Sequence, residues 1–139
     1  MKFKKNYFHV YAYGDISAKD EAGKVSLYSI KDQIDKSGNN QDILIHISSR
    51  GGSFLGGFTI YDYLTTCGKN VDTIVDGQCG SIATVVALAG KERFRTENAQ
   101  YLIHNPSLPP SALPGYTADD YEEALQEIRD AENSLINFY

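Results

Sequence analysis

Along residues 6–13, Phe8, Val10 and Ala12 alternate with Tyr7, His9 and Tyr11, a period of two that predicts a first strand closed by Gly14-Asp15. Ser17, with Asp20 three residues on, has the form of a capping start. Ala22, Val25, Tyr28, Ile30 and Ile34 then give a helical stripe to about residue 36. After the turn at 37–40, Asp42-Ile-Leu-Ile-His-Ile-Ser-Ser49 is a near-continuous branched apolar run. That is the pattern of a central strand covered on both faces in a parallel sheet. Its lone His46 reads as a hydrogen-bonded core residue before it reads as a catalyst.

Leu55, Phe58, Ile60, Tyr61 and Leu64 mark a second helix stopped by Gly68. Gly56-Gly57 weakens its first turns by about 1 kcal/mol per glycine, so close packing or ligand approach is expected there. A short strand over Val71–Val75 leads to Gly77-Gln-Cys-Gly-Ser-Ile-Ala-Thr-Val-Val-Ala-Leu-Ala-Gly90, a glycine-bracketed corner followed by an apolar helix. Further strands are expected near Arg93–Thr96 and Gln100–His104. All four prolines fall within 105–116, which predicts an irregular loop. Thr117 then caps a long helix with Tyr121, Leu125, Ile128, Ala131 and Leu135 on one stripe and acidic residues elsewhere. Strands alternating with helices through short connections predict an α/β fold with a mainly parallel sheet. At 139 residues the chain is expected to form one domain, 1–139.

A net charge of −5 disfavours binding to nucleic acid or an anionic membrane, which requires basic patches. The basic start, Met-Lys-Phe-Lys-Lys, lacks the apolar core of a signal peptide, and no apolar run spans a bilayer, so a cytoplasmic location is expected. Cys67 and Cys79 with three scattered histidines suit neither a disulfide framework nor a metal site. Cys79 reads as a small apolar filler.

Chemistry is suggested at two corners. Ser81 lies where a strand turns into a helix, the logic of a nucleophile elbow, although a serine there also fits a plain N-cap. Gly51-Gly52 ends the preceding strand. If the corners are adjacent, the N–H of Gly51 (or Gly52) and that of Ile82 can point at one oxygen; the other reading of the glycines is a tight turn. His104, at a strand end before Asn105-Pro106, is the best-placed base.

Gly77-Gln-x-x-Ser81 before an apolar helix, the upstream Ser-x-Gly-Gly corner with Ile60-Tyr-Asp62 beyond it, and Tyr101-Leu-Ile-His104-Asn-Pro106 resemble, in order and spacing, the Clp protease proteolytic subunit family. The resemblance implies a ClpP/crotonase-like fold of repeated β-β-α units with a C-terminal handle helix over 117–139. It implies Ser81 as nucleophile, His104 as general base, and Gly51 and Ile82 as oxyanion-hole donors. The activity implied is endopeptidase cleavage of unfolded polypeptides in heptameric rings fed by an AAA+ unfoldase, with no metal or other cofactor in its own chemistry. Two other readings share the fold: a catalytically impaired subunit that assembles with active partners, and a crotonase-type acyl-CoA enzyme. Three departures stand out. Arg50 replaces the usual proline, the proline-rich 105–116 loop replaces a glycine-rich one, and the family's orienting aspartate lies beyond the handle helix, past Tyr139.

Overall fold

The computed structural model describes residues 2–3, 5–107 and 117–139. It comprises two compact units, Met1–Ile103 and His104–Tyr139. The first unit holds strands β1 (Tyr7–Tyr13), β2 (Asp42–Ser49), β3 (Val71–Gly80), β4 (Arg93–Arg95) and β5 (Gln100–Leu102). Between them run helices α1 (Leu27–Ile34), α2 (Phe54–Thr66) and α3 (Ala83–Ala87). The sheet runs β1-β2-β3-β4, with β5 also paired to β3, and every pairing is parallel. β4 takes the first half of β3 and β5 the second, which makes β3 the longest strand. Parallel strands need crossovers, and the amphipathic segments supply them as helices.

The expected first helix begins later than its apolar stripe suggests. Ser17 turns locally, accepting from Lys19 N–H and donating to Glu21, and Gly23 adopts a φ of 76°. Val25 then returns to bridge Ile16, and the helix starts at Ser26, which forms a capping box with Ser29. α2 starts on the Ser53 cap, and Gly68 follows with a φ of 79°. Its paired glycines are there for space. A Cβ on Gly56 would lie 2.7 Å from Ser17 O, and one on Gly57 would overlap Ile82 Cγ1.

β1 is the outermost strand, so its free margin is a potential template for another chain. Gln33 of α1 covers part of it: its amide oxygen accepts from Tyr11 N–H at 2.8 Å and its amide nitrogen donates to Tyr11 O at 3.0 Å.

The core is formed by Val10, Ile30, Ile34, Ile43, Leu44, Ile45, Ile47, Ile60 and Leu64, with Val85 of α3. One charged group is buried beside it. Asp72, 1% exposed, accepts from the Tyr7 hydroxyl at 2.6 Å, Lys5 Nζ at 2.9 Å and Glu92 N–H at 2.9 Å. Burial alone would raise its pKa, but these donors outweigh burial and hold the carboxyl below the usual range. A depressed folded-state value means that stability is present above the unfolded value near 4 and is lost as pH falls through the folded one. Asp72→Asn should therefore flatten the acid limb of stability below about pH 4 and lower stability near neutrality by about 1–3 kcal/mol. Urea midpoints measured at pH 6 and pH 3 read both effects; equal acid slopes in the two proteins would contradict this account.

In the second unit, residues 104–107 have no regular structure; the rest of the expected proline-rich loop, 108–116, lies outside the described residues. α4 (Ala118–Phe138) begins on Thr117, which forms a capping box with Asp120 as the spacing predicts. Tyr121, Leu125 and Ile136 are exposed, and Ala124 is buried. Among the described residues, no helix is long and apolar enough to cross a membrane.

Candidate active site

β2 and β3 are parallel neighbours, so both glycine corners emerge at the same margin of the sheet. Margins of this kind, at the carboxyl ends of parallel strands, are where open α/β sheets bind ligands. The pairing is not uniform. Ile47 stands opposite Val75 and Ser49 opposite Cys79, so Asp76, Gly77 and Gln78 of β3 face Ser48 alone. Gly77 is required by this bulge, because a Cβ there would overlap Ser48 Oγ.

Beyond the bulge, Cys79 is fully buried and its thiol is pushed up to about 12 by that burial, which leaves it an apolar filler and a poor nucleophile. Ser81 follows with a φ of 52°, the one positive value among the described non-glycine residues. Side chains other than glycine rarely adopt this region, and holding one there costs of order 1–3 kcal/mol. The surroundings hold it firmly. Ser81 N–H donates to Leu102 O of β5 at 2.8 Å, and its carbonyl accepts from Thr84 N–H at 3.0 Å and the Thr84 hydroxyl at 2.7 Å. The backbone is thus fully engaged, while the Ser81 hydroxyl has no hydrogen-bond partner among the described residues.

The plain capping role does not hold for Ser81. The N-cap of α3 is Ile82, with no side-chain cap bond. The serine therefore stands on a strained strand-to-helix turn with its hydroxyl free, the geometry of an elbow.

Gly51 packs against this turn. Its φ is 105°, and a Cβ on it would lie 2.7 Å from Ser81 Cβ, 2.8 Å from Gly80 O and 3.3 Å from Ile82 N. The two corners are thus in direct contact, as adjacency of the strands predicts. Ile82 N–H has no acceptor among the described residues, and the Ile82 side chain is anchored in the space that Gly57 leaves. Gly51 N–H is engaged: it donates to Ser49 Oγ at 3.1 Å. The unengaged amide of the pair is that of Gly52, since Gly51 O and Ser53 N–H both pair with Ile16 on the other edge. Sequence spacing leaves this choice open because it carries no information on which way an amide points. The turn after β1 is tied to this corner by charge, with Arg50 Nη2 3.3 Å and 3.4 Å from the two Asp15 oxygens. An ion pair braces the position that a proline ring would stiffen.

His104 opens the second unit. Its ring is exposed, and Nδ1 lies 2.6 Å from Asn105 O. A carbonyl can only accept, so Nδ1 is the donor, and in the neutral ring Nε2 is the nitrogen left to accept a proton. His46, by contrast, is bonded on both nitrogens, to Asp76 and to His9, as expected of a hydrogen-bonded histidine, although it is partly rather than fully buried.

Comparison with known proteins adds a further line. A family model described as Clp protease matches residues 14–139. The ATP-dependent Clp protease proteolytic subunit of Streptococcus mutans is 40% identical over 75 residues, a stretch that covers 52% of this chain and 38% of the relative. The subunit of the same name from Lactococcus lactis is 37% identical over the same length, again 38% of that protein. Among solved structures, a ClpP1 mutant from Listeria monocytogenes superposes with a TM-score of 0.72 at 24% identity, covering 94% of this chain and 69% of that one. This likeness establishes the ClpP/crotonase-like fold.

Proposed function

This chain belongs to the Clp protease family, and on that premise we propose that it is a serine endopeptidase subunit acting on unfolded polypeptides. The observation that carries the reading is the strained turn at Ser81, with a φ of 52° and a hydroxyl that has no hydrogen-bond partner among the described residues. Ser81 Oγ attacks the peptide carbonyl and passes its proton to His104 Nε2. That proton goes on to the departing amine as the C–N bond breaks, leaving an acyl-serine that water hydrolyses. The Asn105 carbonyl supports His104 in this role by holding the tautomer with Nε2 free, a task the orienting aspartate performs in a three-membered triad.

The oxyanion receives Ile82 N–H and one amide of the Gly51-Gly52 pair. Gly52 offers its N–H without rearrangement, whereas Gly51 must first release Ser49. The engagement of Gly51 also supports the impaired-subunit reading, in which the hole forms only in an assembly. Ring formation, delivery by an AAA+ unfoldase and a cytoplasmic location follow from the family and belong to the same proposal. A substrate strand would lie along the Gly52 side of the corner, because Ile16 already covers the other edge.

Incubation with a fluorophosphonate, followed by peptide mass mapping, tests the reading: the adduct is expected on Ser81. Labelling of the isolated chain supports autonomous activity, and labelling only after mixing with a family partner supports the impaired subunit. Adduct formation at other residues with Ser81 untouched would overturn the assignment.

A further inference from the structure

Asp76 takes no part in the chemistry proposed above, yet it occupies a demanding position. It sits in the bulge of β3, where Oδ2 accepts from His46 Nδ1 at 2.6 Å and from the Tyr13 hydroxyl at 2.8 Å. Its Oδ1 is buried with no hydrogen-bond partner among the described residues. Leaving a buried acceptor unpaired costs roughly 1–3 kcal/mol, so the arrangement calls for a reason.

The surrounding groups form an ordered chain. Because Asp76 accepts, His46 Nδ1 donates, and in the neutral ring His46 Nε2 is left to accept the proton of His9 Nδ1 at 2.7 Å. The Tyr11 ring stacks on His46 with centroids 4.9 Å apart and meets Tyr13 edge-on. The Tyr13 phenol, pushed up to about 12 by burial and then by its bond to Asp76, stays protonated and remains a donor. The groups facing Asp76 are therefore His46 from β2 and Tyr13 from β1, with His9 and Tyr11 behind His46.

From this cluster to the serine the backbone has no slack. Gly77 lies against Ser48, Cys79 pairs with Ser49, a Cβ on Gly80 would lie 2.9 Å from Arg50 O, and Gly51 abuts Ser81. We infer that Asp76 is a positioning residue: held by His46 and Tyr13, its carboxylate pins the bulge of β3 in the shape that carries Gly80 and Ser81 to Gly51 and sets the left-handed turn at the serine. Its functional weight rests on the reading of Ser81 as nucleophile; its geometric content does not.

The test uses Asp76→Asn and Tyr13→Phe in the full chain. Three quantities are read: the rate of fluorophosphonate labelling of Ser81, amide hydrogen exchange over residues 77–82, and the ¹⁵N shifts of the His46 ring. Asp76→Asn should slow labelling about ten-fold or more, accelerate exchange over 77–82 while β1 and β2 stay protected, and move His46 away from its Nδ1–H tautomer. A residue that only adds to overall stability would raise exchange throughout the sheet and leave the tautomer in place. Tyr13→Phe removes a single oxygen and should shift labelling and exchange the same way by a smaller factor, which keeps the test available if Asp76→Asn does not fold. Wild-type labelling rates together with unchanged exchange over 77–82 would overturn the inference. If the unmodified chain is not labelled at all, the protease reading fails, and the exchange and ring-nitrogen measurements still decide whether Asp76 holds the corner.

Discussion

Exchanging Ser81 for glycine should abolish peptide hydrolysis and at the same time raise thermal stability. The nucleophile is removed, and single losses of this kind lower turnover by about 10³-fold or more. The φ of 52° at Ser81 is a conformation that an L side chain resists by roughly 1–2 kcal/mol and glycine accepts freely. After the greater unfolded-state freedom of glycine is deducted, a gain of about 1 kcal/mol remains, a few degrees in melting temperature for a chain of this size. A fluorogenic peptide assay and a thermal melt on the same preparation read both quantities. An ordinary turn serine would show the stability gain with no change in rate. A lost rate without stabilisation would mean that the turn is not strained.

The largest effect on folding is expected at Gly52. Alanine there would set its Cβ into the Ile16 carbonyl oxygen and 2.9 Å from Ile16 N, at a φ of 142°. Both contacts are backbone, so no side chain can swing aside. Ile16 must retreat, which breaks its hydrogen bonds to Gly51 O and Ser53 N–H, both 2.8 Å. Backbone strain and overpacking together give about 3 kcal/mol or more of destabilisation. Gly23→Ala is the control, because Gly23 has a φ of 76° but open space around it. That variant carries conformational strain alone, about 1 kcal/mol. Urea denaturation of the pair separates the two costs; equal midpoints would show that the crowding by Ile16 is relieved at no cost.

Several elements were legible because a single physical pattern governs them. β2 shows its branched apolar run, α2 its stripe between Ser53 and Gly68, and α4 its Thr117–Asp120 cap. The contact of the two glycine corners follows from strand adjacency alone. What the residues hid is equally specific. The stretch 17–25 carries a capping start and part of a stripe, yet local bonds of Ser17 and the turn at Gly23 divert it, and Val25 pairs with Ile16 instead. β3 runs to Gly80 because neighbouring strands pair with it, although Asp-Gly-Gln-Cys-Gly has little strand preference of its own. The last helix of the first unit closes at Ala87, short of the Gly90 that ends its apolar run. Cys79 was legible as a small buried filler, and the turn at residue 81 as the end of a strand bracketed by glycines. The Asp76 cluster was not visible, since its members lie on three strands and meet only through register.

The amide of Gln33 bears on what can add to the margin of β1. Mimicking a peptide unit, it fills both hydrogen-bonding positions of Tyr11 on the outer rim of the sheet. Ribbon-like growth by strand addition must first dislodge that one glutamine. Edge-to-edge stacking along this margin is thereby discouraged.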